Sequence, residues 1–319
     1  MHATIRRGTG LIAGLLLGTA VSAWAAGPDL RLVDAAAQQD KAAVRALLKE
    51  KVNVNTARAD GSTALLWATH WGDVDTADLL IRAGANVNAS DDHGVTPLAR
   101  AAENADVAMM NRLLTARANP NAAETSGRTP LMIAAKTGNL EIVKTLIAHG
   151  ANVNASTTKE HNTALMWSLS EKHDEITRVL VEGQADVKAT TARGFTPLMF
   201  AAQQGDLPSA QLLIKAGANA KIANRLGATP LYVAAESGNA VLVKKLLDAG
   251  APVNGTAKYQ STALRAAAEG GQGLVLGPRV LGDERLHGQT EFSRPGDEVT
   301  LEKGGTVLRQ PVEDAARVD

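Results

Sequence analysis

The chain has 319 residues, no cysteine, and a formal charge of zero from 33 Lys and Arg against 33 Asp and Glu. A balanced charge argues against nucleic-acid binding, and the lack of cysteine excludes disulfides and a lipid-modified N-terminal cysteine. With 45% hydrophobic but only 3% aromatic residues, the interior must be rich in alanine and leucine.

Residues 1–25 have the pattern of a secretory signal peptide. Arg6 and Arg7 are followed by no charged residue before Asp29, and an apolar run occupies residues 11–17. A basic start followed by a short apolar stretch is typical of such peptides. Removal of this segment would leave a slightly acidic body with a formal charge of −2.

The expected cleavage site is formed by Ala23 and Ala25, which make a small-x-small pattern. An uncleaved membrane anchor is the alternative, but the glycine and alanine content argues against it. A twin-arginine signal is disfavoured because Thr9 and Gly10 stand where that signal has a bulky apolar residue. We expect a periplasmic or secreted protein that has no membrane contact after cleavage.

A spacing of 33 residues runs through the middle of the chain. Threonine followed two residues later by leucine recurs in steps of 33, 33, 34, 33, 33 and 33 residues, at Thr63, Thr96, Thr129, Thr163, Thr196, Thr229 and Thr262. One period earlier, Leu30 and Leu32 mark a degenerate first unit. A fixed period of this length is typical of a solenoid of stacked repeats.

Each unit also predicts two helices. Proline follows the threonine at Pro97, Pro130, Pro197 and Pro230, as expected in the first turn of a helix. Alanine pairs such as Ala101 and Ala102 allow a neighbouring helix to approach closely. A glycine before Asp or Asn, as at Gly72 and Asp73, predicts a turn and the N-cap of a second helix.

These residues resemble the ankyrin-repeat family, whose unit is a β-turn followed by two antiparallel helices with a Thr-Pro-Leu-His-x-Ala signature. The resemblance covers residues 28–271, although the signature histidine is absent throughout. It implies an all-α solenoid of about seven full repeats plus a truncated eighth. It also implies a non-catalytic scaffold that binds a protein partner, without cofactor or metal, as a monomer.

The C-terminal tail, residues 272–319, does not continue the period. Gly273, Gly277 and Pro278 fall where the second helix of the eighth unit should form. A disordered tail, a small terminal extension and an altered reading frame remain alternatives. Val299, Leu301 and Val307 predict a weak hairpin within it.

Family resemblance implies that the partner contacts the concave side, through the β-turn fingers and the two residues after each alanine pair. The positions concerned are His70, Trp71, His93, Val95, Glu103, Asn104, Arg128, Lys136, Arg193, Phe195, Gln203, Gln204, Leu226 and Glu236. Trp71, Arg128 and Phe195 are the preferred anchors because large aromatic and arginine side chains dominate binding energy. Trp71, Val95, Phe195 and Leu226 are expected to be exposed. Isolated exposed apolar residues are also common on proteins without any role in binding.

One position in the first helix forms an aromatic and aliphatic stripe that we interpret as core between repeats, at Trp67, Ile133, Trp167, Phe200 and Val233. The fifth unit is irregular, with an extra residue in the loop 155–162 and Lys172 in place of the turn glycine. It is either a binding insertion or neutral drift.

A hidden enzyme or metal site is the least favoured function. His161, His173, Glu171 and Asp174 lie within the fifth unit, but they match no zinc-ligand spacing. A secreted effector that binds a host protein is the main alternative to a periplasmic scaffold. No sequence feature names the partner, because the signature specifies the scaffold alone.

Overall fold

A computed structural model describes residues 28–255, 262, 263, 265 and 266, and the backbone of 299–302 and 305–308. Fourteen helices lie in the part of the chain that it describes: α1 (Arg31–Ala37), α2 (Lys41–Lys49), α3 (Ala64–His70), α4 (Val74–Arg82), α5 (Pro97–Glu103), α6 (Val107–Thr115), α7 (Pro130–Thr137), α8 (Leu140–Ala148), α9 (Ala164–Ser170), α10 (Asp174–Glu182), α11 (Pro197–Gln204), α12 (Leu207–Lys215), α13 (Pro230–Glu236) and α14 (Ala240–Asp248). Successive helices form seven pairs, which we number as repeats one to seven. Among the described residues, no helix is long and apolar enough to cross a membrane.

Several predictions fall wholly or partly outside this range. The proposed signal peptide and its cleavage site, Ala23 and Ala25, lie outside the described residues. So do most of the tail and of the eighth unit, although Thr262 Oγ1 accepts a hydrogen bond from Arg265 N at 3.3 Å, as the earlier threonines do. In the tail, β1 (Val299–Glu302) pairs antiparallel with β2 (Gly305–Leu308), which confirms the predicted hairpin.

The first helix of each pair begins as the Thr-Pro-Leu pattern predicts. In repeats two to seven the threonine is the N-cap, and its hydroxyl oxygen accepts from the backbone N–H three residues on; Thr96 Oγ1 accepts from Ala99 N at 3.2 Å. Proline occupies the first turn of α5, α7, α11 and α13. Repeat one differs because α1 follows Leu30, whose side chain cannot cap. It remains the degenerate unit that the sequence indicates.

The turn between the two helices needs a residue with positive φ. Glycine supplies it at Gly72, Gly138, Gly205 and Gly238, with φ between 65° and 82°. Residues with a side chain take the same conformation in repeats one, three and five, where φ is 54° to 59° at Gln39, Ala105 and Lys172, although it is uncommon for such residues. Asp or Asn then caps the second helix in every repeat except the fifth, where His173 makes no side-chain cap bond. Repeat five is therefore irregular at its turn as well as in its loop.

The helices form two layers. First helices pack side by side along the array, second helices do the same, and the two helices of each pair connect the layers. The alanine pairs are fully buried, as are the second-layer leucines Leu80, Leu113, Leu146, Leu180, Leu213 and Leu246. This confirms the all-α solenoid, because each repeat completes its core only against its neighbours.

A ladder of backbone hydrogen bonds joins the fingers, the loops that precede the first helices. Each bond runs from one finger to the tip of the preceding finger, with N···O distances of 2.8 to 3.0 Å, at Asp92 to Asp60, Thr125 to His93, Thr158 to Ser126, Ala192 to Glu160 and Arg225 to Arg193. The extra residue of repeat five is absorbed within its finger, where His161 has φ 56°, and the ladder continues past it. The fingers therefore form one continuous edge.

A second ladder explains the asparagines of the Gly-Ala-Asn-Val-Asn closing motif. The side-chain oxygen of one asparagine accepts from a backbone N–H of the next closing turn, at 2.6 to 2.7 Å, from Asn55 to Asn86, Asn88 to Asn119, Asn121 to Asn152 and Asn154 to Asp186. Lys188 and Lys221 occupy the next two equivalent positions. The ladder ends there because a lysine side chain has no acceptor.

Candidate protein-binding face

The fourteen predicted partner-binding residues fall into two structural groups. Those of the fingers are His93, Val95, Arg128, Arg193, Phe195 and Leu226. Those at the C-terminal ends of first helices or just after them are His70, Trp71, Glu103, Asn104, Lys136, Gln203, Gln204 and Glu236. We call this combined surface the finger–helix face. Finger and helix residues meet directly on it, since Arg128 of a finger pairs with Glu103 at the end of α5.

An aromatic cluster occupies the face in repeat two. The rings of Trp67 and Trp71 stack with centroids 6.5 Å apart, and His70 meets both edge-on at 5.6 and 4.7 Å. The guanidinium of Arg58 lies 5.2 Å from the Trp67 ring centroid and pairs with Asp34 at 2.7 Å. This packing restricts the side-chain conformations of both indoles.

Trp71 itself is both exposed and anchored. Trp71 is 45% exposed. Its indole N–H donates a hydrogen bond to Ala37 O of repeat one at 3.1 Å. Asn104 Nδ2 and Ser237 Oγ bond to the preceding repeat at the equivalent place. The hydrogen-bonding edge of Trp71 therefore joins two repeats, and only its apolar surface is available to a partner.

A charged network occupies the face in repeats three and four. Arg128 donates two parallel bonds to Glu124, from Nε and one terminal nitrogen at 2.9 Å each, and a third to Glu103 at 3.2 Å. Glu103 also accepts from Arg100 at 2.6 Å. The hydrogen bond to Glu124 is the main cause that raises the pKa of Arg128 above its ordinary value, against a smaller opposing effect of burial. Two arginines and two glutamates neutralise one another, so Arg128 offers little uncompensated charge.

A third group lies in repeats four to six. The ammonium of Lys136 sits 4.8 Å above the Trp167 ring centroid and makes no ion pair within the described residues. The indole N–H of Trp167 is buried, and no residue in the described part of the chain accepts a hydrogen bond from it. In the next repeat, Phe195 packs against Phe200 with centroids 5.9 Å apart. This region combines an unpaired cation with aromatic surface.

Of the four apolar residues that the sequence predicts to be exposed, two are half-buried. Trp71 and Leu226 are exposed, the latter at 57%, as predicted. The prediction was wrong for Val95 and Phe195, which are half-buried, because Val95 packs against the core and Phe195 against Phe200. Phe195 remains on the face but presents only part of its ring.

The stripe interpretation holds with one refinement. Ile133 and Val233 are buried, and Trp67, Trp167 and Phe200 are half-buried against the core. The aromatic members also reach the face, where sequence reasoning did not place them. Arg58 and Arg100 were also not predicted to lie on the face. Arg100 occupies the stripe position of α5, so the 33-residue period could have identified it.

A protein-family model described as ankyrin repeats matches three segments of the chain, residues 32–124, 98–191 and 198–276. The chain belongs to the ankyrin-repeat family. No curated protein matches it. Ankyrin repeats are protein–protein interaction domains and are typically non-catalytic, so this chain carries a domain built for binding.

One groove between two ankyrin fingers contains a serine, a histidine and an aspartate, the residue types of a serine-hydrolase catalytic triad. Ser156, His161 and Asp186 line a cavity of about 260 Å³ in repeat five. All three are exposed, and no hydrogen bond joins any two of them within the described residues. A nucleophile needs its base within hydrogen-bonding reach, so this geometry is not that of a catalytic triad.

Acidic and histidine side chains converge at one finger tip, Asp91, Asp92 and His93. His93 Nδ1 lies 2.7 Å from Asp92, while Asp91 Oδ1 accepts from the backbone N–H of His93 and Val95. The group is largely exposed, and Asp91 serves the turn of the finger. His161, His173, Glu171 and Asp174 are not brought into such a group.

Proposed function

We propose that this ankyrin-repeat protein is an exported, monomeric, non-catalytic scaffold that binds a partner protein through the finger–helix face. The observation that carries the proposal is the aromatic cluster of repeat two. Trp71 is one of three large hydrophobic residues that are exposed in the described part of the chain. Its ring is held in place by Trp67, His70 and a hydrogen bond to Ala37.

The cluster fits the physics of a binding hot spot. Tryptophan dominates interface energies because it buries a large surface at the cost of few rotatable bonds. Here the stacking with Trp67 and the bond to Ala37 already restrict the side chain, so that binding costs little further conformational entropy. A ladder of backbone hydrogen bonds also connects the neighbouring fingers of the face.

The other anchors have different roles. Arg128 is committed to Glu124 and Glu103 and positions the finger of repeat four. Lys136 and Leu226 replace it as contact residues, since one is an unpaired cation and the other is 57% exposed. Together with Trp71 they favour a partner that has apolar side chains and a carboxylate.

Export rests on the pattern of residues 1–25, with Arg6 and Arg7 before an apolar run and Ala23 and Ala25 at its end. The expected location is the periplasm or the secreted space. Fractionation of cells that express the full chain, combined with sequencing of the mature N-terminus, tests this directly. A mature protein that begins near residue 26 supports export, and an intact N-terminus in the cytoplasm contradicts it.

Site-specific photo-cross-linking tests the binding face. A photoreactive residue at Gln203, which is exposed on the face, should capture a discrete partner in a cellular extract. The same residue at Lys144, exposed on the second-helix layer, should not. Trp71→Ala should reduce capture from Gln203 at least about tenfold, as for a hot-spot residue. Val241→Ala, which removes a 62% exposed apolar residue from α14, is the matched control and should leave capture unchanged.

Capture from Lys144 as strong as from Gln203, or capture from Gln203 that survives Trp71→Ala, would contradict the proposal. Exported protein recovered from the culture medium and cross-linked to a host protein would instead support a secreted effector.

A further inference from the structure

Two junctions between neighbouring repeats carry side chains of different charge at one equivalent pair of positions. The first residue of one second helix lies beside the N-cap of the next second helix. Between repeats one and two these residues are Lys41 and Asp73, which form an ion pair at 2.8 Å. Between repeats five and six they are Asp174 and Asp206. An attractive pair is thus replaced by two carboxyl groups.

The buried member of this second pair has an unsatisfied oxygen. Asp206 is only 8% exposed, and its Oδ1 accepts from Ser209 N at 3.0 Å as an N-cap should. Its Oδ2 is fully buried and, while both carboxyl groups are ionised, accepts no hydrogen bond from any residue that the structure describes. At the first junction the equivalent carboxylate of Asp73 has Lys41 and Thr76 as donors. An ionised, buried oxygen without a donor is costly.

The exposed member responds to this neighbour. Burial raises the pKa of Asp174 above its ordinary value of 3.8, and the charge of Asp206 and a hydrogen bond to Asp206 raise it further. Glu175 acts in the same direction, whereas Lys172 lowers the pKa of Asp174. Only a protonated carboxyl can donate the hydrogen bond that joins two acids.

Other charged groups surround the pair. Arg178 of α10 and Lys215 of α12 line the same groove of about 330 Å³ as Asp174. On the opposite side of α10, helix α8 carries Glu141 and Lys144, while α9, which also packs against α10, has no charged side chain. Of the helices packed against α12, α14 carries Lys244, Lys245 and Asp248, and α11 has no charged side chain. No donor from these helices reaches Asp206 Oδ2. Asp174, which interacts with Asp206, is therefore the group that can supply a proton to it.

The same junction lacks a second connection. Lys188 interrupts the asparagine ladder between the closing turns of repeats five and six, whereas Asn154 maintains it between repeats four and five. In a solenoid each repeat is stabilised mainly by its neighbours, so the loss of junction contacts weakens the array locally. Trp167 lies on one side of this junction, and Phe195 and Phe200 lie on the other.

We infer that Asp174 and Asp206 form a proton-binding carboxyl pair that tightens the junction between repeats five and six in mild acid and loosens it at neutral pH. The pKa of Asp174 is higher in the folded state than its unfolded-state value near 3.8. The stabilisation of the junction is therefore complete below pH 3.8 and is lost as pH rises through the folded-state pKa. Loosening changes how repeats one to five are held against repeats six and seven.

Hydrogen exchange of the full chain, followed by mass spectrometry from pH 4 to pH 7.5, tests the inference. After correction for intrinsic exchange, the opening constant of α10 and α12 should rise with pH by about threefold or more relative to α6. Asp174→Asn, which supplies an amide donor to Asp206, should abolish this rise. Asp174→Lys, which reproduces the arrangement of Lys41 and Asp73, should abolish it and also slow exchange at pH 7.5.

A gain-of-function control is available in the same chain. Val74 occupies the equivalent position between repeats two and three, beside Asp106. Val74→Asp should therefore transfer the pH-dependent opening to α4 and α6. The inference is overturned if the wild-type opening constants at α10 and α12 do not change with pH relative to α6, or if Asp174→Asn keeps the wild-type slope.

Discussion

The indole N–H of Trp71 donates a hydrogen bond to the backbone carbonyl of Ala37, 3.1 Å away in the preceding repeat. Ala37 is the last residue of α1, so the bond satisfies a carbonyl that helix geometry leaves without an intrahelical partner. The residue that we propose as the main contact with a partner thus also joins repeats one and two. Its two roles can be separated by substitution.

Trp71→Phe should keep an aromatic ring for a partner while removing the N–H donor. We expect a loss of about 1 kcal/mol in the free energy of unfolding, typical of one hydrogen bond, with partner capture largely preserved. Trp71→Ala should lose both stability and capture. Urea denaturation followed by circular dichroism measures the first effect, and an unchanged unfolding midpoint in Trp71→Phe would show that the bond to Ala37 contributes nothing.

Arg128→Lys should be destabilising although it conserves charge. The guanidinium makes two parallel bonds to Glu124, whose side chain is only 9% exposed, and an ammonium cannot reproduce this geometry. We expect a loss of about 1–2 kcal/mol in the free energy of unfolding, measured by urea titration. Arg193→Lys is the control, because Arg193 is exposed at a finger tip and its side chain makes no hydrogen bond or ion pair with any described residue. Equal effects in the two variants would refute a special role for the Arg128 fork.

Lys188→Asn should stabilise the protein. It would restore the acceptor that Asn154 provides one repeat earlier, where its side chain bonds to Asp186 N at 2.7 Å and Gln184 O at 3.1 Å. A gain of about 0.5–1.5 kcal/mol in the free energy of unfolding is expected. The reciprocal variant Asn121→Lys should lose at least as much, and a stabilised Asn121→Lys would disprove the ladder's contribution.

Lys41→Met should weaken the junction of repeats one and two in a pH-dependent manner opposite to that of Asp174. Burial opposes ionisation of Asp73, but hydrogen bonds from Lys41 and Thr76 prevail and hold its pKa below 3.8. Because the folded-state pKa of Asp73 is lowered, ionised Asp73 stabilises the folded state at pH above its unfolded-state pKa. This stabilisation is lost as pH falls through the folded-state pKa. The difference in Tm between wild type and Lys41→Met should therefore be largest near neutral pH and shrink in acid. A difference that is constant from pH 7 to pH 3 would contradict this.

Much of the fold follows from local chemistry that the sequence displays. Thr96 and Pro97 specify the start of a first helix, and Gly72 with Asp73 specifies a turn and the next start, because caps and backbone dihedrals depend on adjacent residues. The period of 33 residues then determines that identical units stack, since none can bury its apolar face alone. These features determined the all-α solenoid and the residues that form its finger–helix face.

Tertiary structure decided which residues of that face are available. Phe195 is half-buried by Phe200, and Arg128 is neutralised by Glu103 and Glu124, although both looked like free anchors in the sequence. The meeting of Asp174 with Asp206 was equally hidden. Each of these contacts joins side chains within one unit or across neighbouring units, and its outcome depends on side-chain direction and burial. The spacing of residues along the chain does not encode those two quantities, whereas it does encode caps, turns and the repeat itself.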